Sequence, residues 1–287
     1  MKMSKKTLSI ILFVLAGICV LAAVILLVKG RIEDRRMEEA LDELRPTQSA
    51  ETTQAPSTVE GEPTVTASPE PSTEETPAST EEFERVSNPY ADSFLANKDM
   101  AAGPQIPGTN IDYPVMWTPE DETYYLYRAF DGSENKNGCL LLDNESCVDP
   151  LTTNLIIHGH NMKSGAMFGN LTDYENQDFY KEHKNIILYT EECQRNYEII
   201  AVFRSQVYRK TDQVFKFYKF FQADTQEEFD DFYNNIKQLS QYDTGVTAEF
   251  GDHFLTLSTC VYHVEQGRFV VVAKEVEPGD HYLPIQE

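Results

Sequence analysis

The sequence predicts a mainly β domain, a barrel or a sandwich with peripheral helices, that follows an apolar N-terminal helix and an acidic unstructured segment. Three observations predict this order: an uncharged apolar run near the N-terminus, a stretch of Pro, Thr, Ser and Glu after it, and short runs of β-branched and aromatic residues beyond. Many short strands separated by turn residues are typical of barrels and sandwiches. The chain of 287 residues therefore holds one folded domain that is shorter than the whole.

The apolar run extends from Thr7 to Val28 and contains no charged residue. As a helix it would span about 33 Å at about 1.5 Å per residue, which is enough to cross the core of a bilayer. We expect an uncleaved transmembrane anchor at 7–28 rather than a cleaved signal peptide, whose apolar region is about 7 to 15 residues long. Basic residues flank the run on both sides, so charge alone does not settle its orientation.

The region after the anchor, residues 29–87, is rich first in charge and then in Pro, Thr, Ser and Glu. Ile32 to Arg45 continues as a short charged segment, and Pro46 to about Glu82 contains almost no large apolar residue. A segment of this kind buries too little apolar surface to offset the entropy of ordering it, and its prolines and like charges keep it extended. We expect a charged juxtamembrane segment and a disordered stalk.

The net charge of the chain is strongly negative, −23, with 47 Asp and Glu against 24 Lys and Arg. Proteins that bind nucleic acids neutralise phosphates with Lys and Arg, and no basic stripe occurs in this sequence. The composition therefore excludes nucleic acid as a partner. Much of the acidity lies in the stalk, where it keeps the chain solvated, so it says little about a functional site.

The folded domain is expected over residues 88–287, where the composition becomes globular. Helical spacing of apolar residues predicts an amphipathic helix over Thr225–Leu239. Asn88-Pro89 resembles the start of a short helix at Tyr90–Ala96. Short apolar runs predict strands at Ile111–Met116, Cys139–Leu142, Leu155–His158, Ile186–Tyr189, Tyr197–Phe203, Phe254–Ser258 and Phe269–Lys274.

A thiol and a guanidinium mark the ends of two neighbouring predicted strands. Cys260 follows the strand that ends at Ser258, and Arg268 precedes the strand that begins at Phe269. Rigid strands hold such groups in place, while the loop between them leaves room for a substrate. A buried structural cysteine is the alternative interpretation of any single Cys. Cys260 is therefore a candidate nucleophile, with Arg268 beside it.

His160 follows an apolar strand and a glycine, at another junction between strand and loop. Histidine is the usual partner of a catalytic thiol, because an ordinary pKa of about 6.5 lets it stabilise a thiolate and later donate a proton. His263, close to Cys260 in sequence, is the main rival for this role. His158 and His160, together with Cys260 or His263, could imitate a metal cluster, but tight ligand spacings such as Cys-x-x-Cys are missing, so no metal site is expected.

The sequence around these residues resembles that of the class B sortases. Three elements carry the resemblance: Gly159-His160-Asn161-Met162 followed by Met167-Phe168-Gly169, Leu257-Ser258-Thr259-Cys260, and Gly267-Arg268-Phe269-Val270-Val271-Val272. A further element, Ile106-Pro107-Gly108-Thr109-Asn110-Ile111-Asp112-Tyr113-Pro114-Val115, resembles the early strand and turn of the sortase barrel. The resemblance covers about Asn88 to Val276.

The resemblance implies a sortase-type closed β-barrel with peripheral helices. It implies Cys260 as the nucleophile, His160 as its acid/base partner and Arg268 as the cation beside the oxyanion. No metal ion or organic cofactor is expected. The substrate-binding residues that it implies come from the same elements: Asn161, Ser258 and Thr259.

Sortases act outside the bacterial membrane on exported proteins. The resemblance therefore implies a single-pass protein of the cell membrane, with residues 1–6 in the cytoplasm and the catalytic domain outside. It implies cleavage of a C-terminal sorting signal after Thr through a thioacyl enzyme, and transfer to the amine of a peptidoglycan precursor or of a pilin Lys. Two alternatives stay open: an extracytoplasmic cysteine peptidase, and a surface-tethered binding protein without catalysis.

Two further expectations concern the structure of the domain. Ala101 to Gln105 departs from the family pattern, because it is less apolar than the first strand of such a barrel. Cys139 and Cys147 flank a turn-rich stretch and are candidates for a disulfide in an oxidising exterior, which would leave Cys193 and Cys260 unpaired, but sequence alone does not decide the pairing.

Overall fold

The computed structural model describes residues 15–25, 28, 29, 31, 32, 35 and 87–285. Residues 15–25 are helical and exposed. Within these described ranges, no helix is both long enough and apolar enough to cross a membrane. The expected anchor at 7–28 is described only in part. The expected cytoplasmic residues 1–6 and almost all of the juxtamembrane segment and stalk at 29–87 lie outside the described residues.

The domain consists of short strands with helices between them. Its strands are β1 (Met100–Gln105), β2 (Val115–Met116), β3 (Leu140–Leu142), β4 (Asn154–Gly159), β5 (Asn185–Tyr189), β6 (Cys193–Gln206), β7 (Phe254–Cys260) and β8 (Gly267–His281). Its α-helices are α1 (Ala91–Ala96), α2 (Gln177–Glu182) and α3 (Gln226–Leu239). Its 3-10 turns are η1 (Tyr124–Tyr127), η2 (Leu171–Glu175) and η3 (Phe217–Lys219).

The strands close into a barrel in the order β1, β2, β3, β4, β7, β8, β6, β5, and β5 pairs with β1. This confirms the mainly β, closed-barrel fold. In the barrel, β4 and β7 are parallel, whereas β7 and β8 are antiparallel. Parallel neighbours end at the same edge of a sheet, and an antiparallel neighbour begins there. The ends of β4 and β7 and the start of β8 therefore lie side by side at one end of the barrel.

The first strand, β1, forms where the sequence departs from the family pattern. Ala102 is buried, and the backbone around it pairs with β2 on one side and β5 on the other. Pairing on both sides fixes the strand, although Gly103 and Pro104 have low strand propensity. The weak apolar pattern of Ala101 to Gln105 therefore does not prevent a strand here.

The other predicted strands all occur, with different bounds. The run Ile111–Met116 reduces to the two residues of β2, because Pro114 has no N–H with which to continue the ladder. β6 and β8 are longer than predicted and reach Cys193 and His281. Polar residues pair in this extension, where Arg195 and Glu275 form an ion pair of 2.9 Å.

Alternate residues of the barrel strands face two separate cores. Leu257 and Val271 belong to the core inside the barrel. Val270 and Val272 belong to a second core outside it, which α3 covers with Phe229, Phe232 and Ile236. Because strand side chains alternate between faces, each strand position can be assigned to the inside or the outside of the barrel.

The helix predicted over Thr225–Leu239 is confirmed as α3, with Thr225 as its N-cap. The hydroxyl of Thr225 accepts from the backbone N–H of Glu228, whose carboxylate accepts from the N–H of Thr225. This reciprocal pair is a capping box, which satisfies N–H groups that would otherwise have no partner at the helix start. The short helix predicted at Tyr90–Ala96 is also present, as α1.

Candidate active site

Strand register brings the three predicted catalytic residues together. Cys260 and Arg268 are direct partners across the antiparallel pair of β7 and β8. Gly159 is the register partner of Thr259 across β4 and β7, so His160 comes level with Cys260 one step further. The three residues thus lie in one row across the end of three adjacent strands.

The three side chains share the outer face of the barrel. Leu257 and Val271 are paired and point into the interior core. Cys260 and Arg268 stand three positions from them along each strand, so alternation directs both outward. His160 stands three positions after Ile157, which also belongs to the interior core.

The end of β7 is fastened to the end of β4 by two side chains. The amide of Asn161 donates to the carbonyl oxygen of Cys260 over 2.8 Å. The hydroxyl of Thr259 donates to the carbonyl oxygen of Gly159 over 2.7 Å. Cys260 itself is partly exposed and has a free thiol. These bonds hold the backbone of the candidate nucleophile while leaving its side chain partly exposed.

The imidazole of His160 is held from the side opposite β7. Its Nε2 lies 2.9 Å from the carbonyl oxygen of Leu126, and the ring of Tyr127 lies against it with centroids 5.5 Å apart. A carbonyl oxygen only accepts hydrogen bonds, so Nε2 carries the proton and Nδ1 is the nitrogen left for chemistry. The η1 turn therefore sets both the tautomer and the orientation of the ring.

The guanidinium of Arg268 folds back over the turn that precedes it. Its Nη1 donates to the carbonyl oxygens of Gln266, at 3.3 Å, and Gly267, at 3.1 Å. Within the described part of the chain it has no other hydrogen-bond partner. The Nε and Nη2 donors are therefore available for an anionic oxygen.

A second histidine on the same face is already paired. Nε2 of His158 lies 3.1 Å from Oδ2 of Asp143. Burial acts to raise the pKa of Asp143, but hydrogen bonds from His158 and from the backbone of Glu145 outweigh it and lower that pKa below its usual value. His158 is therefore the partner of a carboxylate.

His263, the rival for the acid/base role, lies in the exposed turn after Cys260. Its ring stands beside Gly267. His160 directly follows Gly159, whose register partner Thr259 precedes Cys260, whereas His263 lies three residues beyond Cys260 in the turn. Among the described residues, no group of three or more His, Cys, Asp or Glu is placed to hold a metal ion.

Comparison with known proteins identifies the group to which this barrel belongs. The sequence profile of the sortase domain family matches residues 105–276, which is more than half of the chain. The chain belongs to the sortase family. Sortase B of Listeria monocytogenes is 33% identical over 193 residues, which cover 67% of this chain and 75% of that protein. Sortase B of Staphylococcus aureus is 27% identical over 186 residues, 63% of this chain and 72% of that protein.

Solved structures agree with this family and place this sortase in class B. Sortase B of Clostridium perfringens superposes with a TM-score of 0.58 at 26% identity, covering 65% of this chain and 98% of that one. A Staphylococcus aureus sortase B–substrate complex superposes with a TM-score of 0.60 at 26% identity, covering 68% of this chain and 87% of that one. Membership of the sortase B group supports a cysteine transpeptidase.

Two of the predicted substrate-binding residues have buried side chains in this sortase. Ser258 is on the outer face but 1% exposed, and its hydroxyl has no hydrogen-bond partner among the described residues. Thr259 is also 1% exposed and donates to Gly159. Asn161 donates to the backbone of Cys260. All three lie close to Cys260, and their contact with substrate stays a prediction.

The structure does not contain the candidate disulfide between Cys139 and Cys147. Both thiols are free, and each has another partner: Cys139 donates to the carbonyl oxygen of Arg128 and Cys147 to that of Asp149. Cys139 is buried against the barrel, and this burial raises its thiol pKa to about 12. Cys193 is buried and free as well.

Sequence reasoning missed the segment that orients His160. Leu126 and Tyr127 belong to η1, in a region for which no strand or helix was expected. Gly138 packs against the same carbonyl: its φ is +60°, and an added Cβ would lie 2.2 Å from the carbonyl oxygen of Leu126. The Asn137-Gly138 dipeptide is a turn signal that pointed to this position, though not to its neighbour in space.

Proposed function

We propose that this class B sortase cleaves a sorting signal after Thr near the C-terminus of an exported protein and transfers the protein to an amine. The observation that carries the proposal is the row formed by His160, Cys260 and Arg268 at one end of the barrel, on one face. A nucleophile, a proton carrier and an oxyanion donor are the three groups that acyl transfer by a thiol requires.

The first half of the reaction forms a thioester. The thiolate of Cys260 attacks the carbonyl carbon of the substrate Thr, and the C–N bond that follows the Thr breaks when the departing amine takes a proton from His160. The signal fragment leaves as a free amine. The protein remains bound to Cys260 through its new C-terminal carbonyl.

The second half releases the protein. An acceptor amine attacks the thioester carbon, loses a proton to His160, and forms an amide as the thiolate of Cys260 departs. The proton that His160 gave in the first half returns to it in the second. Atoms and protons therefore balance without a metal ion, an organic cofactor or a redox step.

The hydrogen bond from His160 to Leu126 supports this cycle. Nε2 keeps its proton whether the ring is neutral or positive, so the bond of 2.9 Å persists while Nδ1 gives and takes the transferred proton. The ring then does not need to reorient between the two halves of the reaction. Less reorganisation at the moment of reaction favours catalysis.

Arg268 stabilises the negative oxygen that develops on the attacked carbonyl. Its planar guanidinium presents Nε and Nη2 along one edge, while Nη1 is held by the turn. The side chain stands directly opposite Cys260 in the ladder. The positive charge therefore lies where the oxyanion forms.

Substrates and location belong to the same proposal. The partners are exported proteins with a C-terminal sorting signal, and the acceptor is the amine of a peptidoglycan precursor or of a pilin Lys. The apolar run at 7–28 anchors the chain in the cell membrane with the catalytic domain outside, where these partners occur.

A peptide library incubated with the full-length chain in detergent micelles tests the proposal. We expect cleavage after Thr within a short motif, a mass adduct on Cys260, and an amide product when an amine such as triglycine is added. If the product is the hydrolysed peptide even when an amine is added, the chain is a cysteine peptidase instead. No adduct and no cleavage with any peptide would contradict the enzymatic function and favour a binding protein.

A further inference from the structure

The turn between β7 and β8, residues 261–266, has a strained residue at its end. Residues 262–266 are exposed, and two backbone bonds close the turn: Val261 N to Gly267 O, 3.0 Å, and Gly267 N to Val264 O, 3.1 Å. Gln266 has a φ of 54°, in the left-handed region that side chains with a Cβ rarely adopt. Among the described residues, Met167 is the only other non-glycine with a positive φ.

The carbonyl oxygen of Gln266 accepts hydrogen bonds from two different parts of the molecule. One comes from Nη1 of Arg268, at 3.3 Å, and the other from the backbone N–H of Val207, at 3.1 Å. Val207 is the first residue after β6 and begins the long connection 207–253, which contains α3. One carbonyl therefore joins the oxyanion-binding guanidinium to the base of that connection.

Gly267 keeps the turn tightly packed around this carbonyl. A Cβ at this position would lie 2.4 Å from the carbonyl oxygen of Val261 and 2.8 Å from Nδ1 of His263. The carbonyl of Gly267 is the second acceptor for Nη1 of Arg268, at 3.1 Å. With Nη1 held by two carbonyls, the Nε and Nη2 edge is turned away from the turn and left for substrate.

We propose that Gln266 is a positioning residue for Arg268. Its left-handed backbone aims its carbonyl at Nη1 and so fixes the free edge of the guanidinium on the side of Cys260. The backbone N–H of Val207 donates to the same carbonyl oxygen. A movement of the connection 207–253 would therefore shift this carbonyl and, with it, the guanidinium. The proposal rests on the proposed function and adds a positioning residue to it. The side chain of Gln266 is exposed and makes no contribution to positioning, which depends on the backbone conformation alone.

Substitutions that differ in their tolerance of a positive φ test the role of Gln266. Gly and Asn adopt the left-handed region readily, Ala adopts it less readily, and the β-branched Val least. We expect Gln266→Val to lower kcat by about 10-fold to 100-fold with little change in KM. The kcat of Gln266→Ala should lie between those of Gln266→Val and the wild type. The kcat of Gln266→Gly and of Gln266→Asn should be close to that of the wild type. Glu265→Val, at the neighbouring exposed position, is the matched control.

A double-mutant cycle separates positioning from general damage to the fold. In an Arg268→Lys background the held guanidinium is gone, so Gln266→Val and Gln266→Ala should change kcat by less than about twofold. Equal losses in the wild-type and Arg268→Lys backgrounds would overturn the proposal. Circular dichroism and thermal melting, alike in every variant, report that the barrel is intact. If Gln266→Val is not folded, the kcat values of Gln266→Gly, Gln266→Asn and Gln266→Ala still test the proposal.

The outcomes also distinguish this inference from the function on which it rests. Absence of any cleavage by the wild-type chain contradicts the proposed function itself. An active wild type whose kcat does not follow the order Gly and Asn, then Ala, then Val contradicts the positioning role of Gln266 alone. The readout is hydrolysis or aminolysis of the best peptide from the library screen, with the full-length chain in detergent.

Discussion

The carbonyl oxygen of Leu126 lies between two residues that are distant in sequence, 2.9 Å from Nε2 of His160 and in contact with Gly138. The backbone of Gly138 comes so close that a single added carbon would lie 2.2 Å from this oxygen. The orientation of the candidate acid/base residue therefore depends on a glycine that has no functional group of its own.

Gly138→Ala should reduce turnover by about 10-fold to 100-fold, because the displaced carbonyl of Leu126 no longer holds His160 in place. Gly132→Ala is the matched control: Gly132 also has a positive φ, but an added Cβ there meets only the hydroxyl of Tyr124 at 3.6 Å. Both substitutions place a Cβ on a residue with a positive φ, so both should lower stability. The melting temperature of each variant shows how much of any loss of kcat comes from unfolding. Equal kcat in the two variants would show that the Leu126 carbonyl does not orient His160.

Cys260→Ala should abolish both the thioacyl adduct and turnover, because the row at the barrel end contains no other nucleophile among the described residues. His160→Ala removes proton transfer, which is worth about 100-fold to 10,000-fold. The double variant should be about as inactive as Cys260→Ala, since residues that act as one unit are not additive. Initial rates of peptide cleavage and intact-protein mass spectrometry measure both effects.

His263→Ala is the companion to His160→Ala. His263 is exposed in the turn beyond β7, so its removal should leave kcat within about threefold of the wild type. A loss as large as that of His160→Ala would transfer the acid/base role to His263.

Arg268→Lys should lower kcat by about 100-fold or more while the barrel stays folded, because Lys keeps the charge but loses the planar pair of donors. Circular dichroism checks the fold, and kcat on a cleavable sorting peptide checks the effect. Turnover close to that of the wild type would remove Arg268 from oxyanion stabilisation.

Asp143 should make stability depend on pH through its bond with His158. Its folded pKa is below the unfolded value of 3.8, so its contribution is present above that value and is lost as the pH falls through the lower folded pKa. In urea unfolding, the free energy of unfolding of the wild type should exceed that of Asp143→Asn by about 1 kcal/mol at about pH 5. This difference should shrink toward about pH 3. Glu145→Gln, at an exposed neighbour, is the control. A difference that does not change with pH would contradict this account.

Most strands and the helix α3 were predictable because they depend on local patterns, whereas the closed barrel and the choice of His160, Cys260 and Arg268 came from the resemblance to class B sortases. Runs such as Phe254–Ser258 alternate with turn residues, and the capping residues of α3 can be read directly in the sequence. The strand β1 was not predictable in this way, since its formation depends on pairing with β2 and β5, which lie elsewhere in the chain. Its own residues have little strand propensity.

The rest of the site could not be predicted because it depends on contacts between distant loops. The carbonyl of Leu126 and the carbonyl of Gln266 are main-chain groups, which every residue has, so no side-chain pattern marks them. The pairing of Cys139 with Cys147 stayed open for a related reason: their spacing suits a loop, but the fold gives each thiol a different backbone partner. Sequence spacing fixes neither direction nor distance in space.

The parallel pairing of β4 with β7 also sets when a growing chain can bring His160, Cys260 and Arg268 together. Thr259 and Gly159, which fasten the two strand ends together, are 100 positions apart. During synthesis the histidine strand is therefore made long before the cysteine strand, and the guanidinium comes later still. Until β7 pairs with β4 and β8, His160 and Arg268 are not beside Cys260, so the row of three residues exists only in the closed barrel.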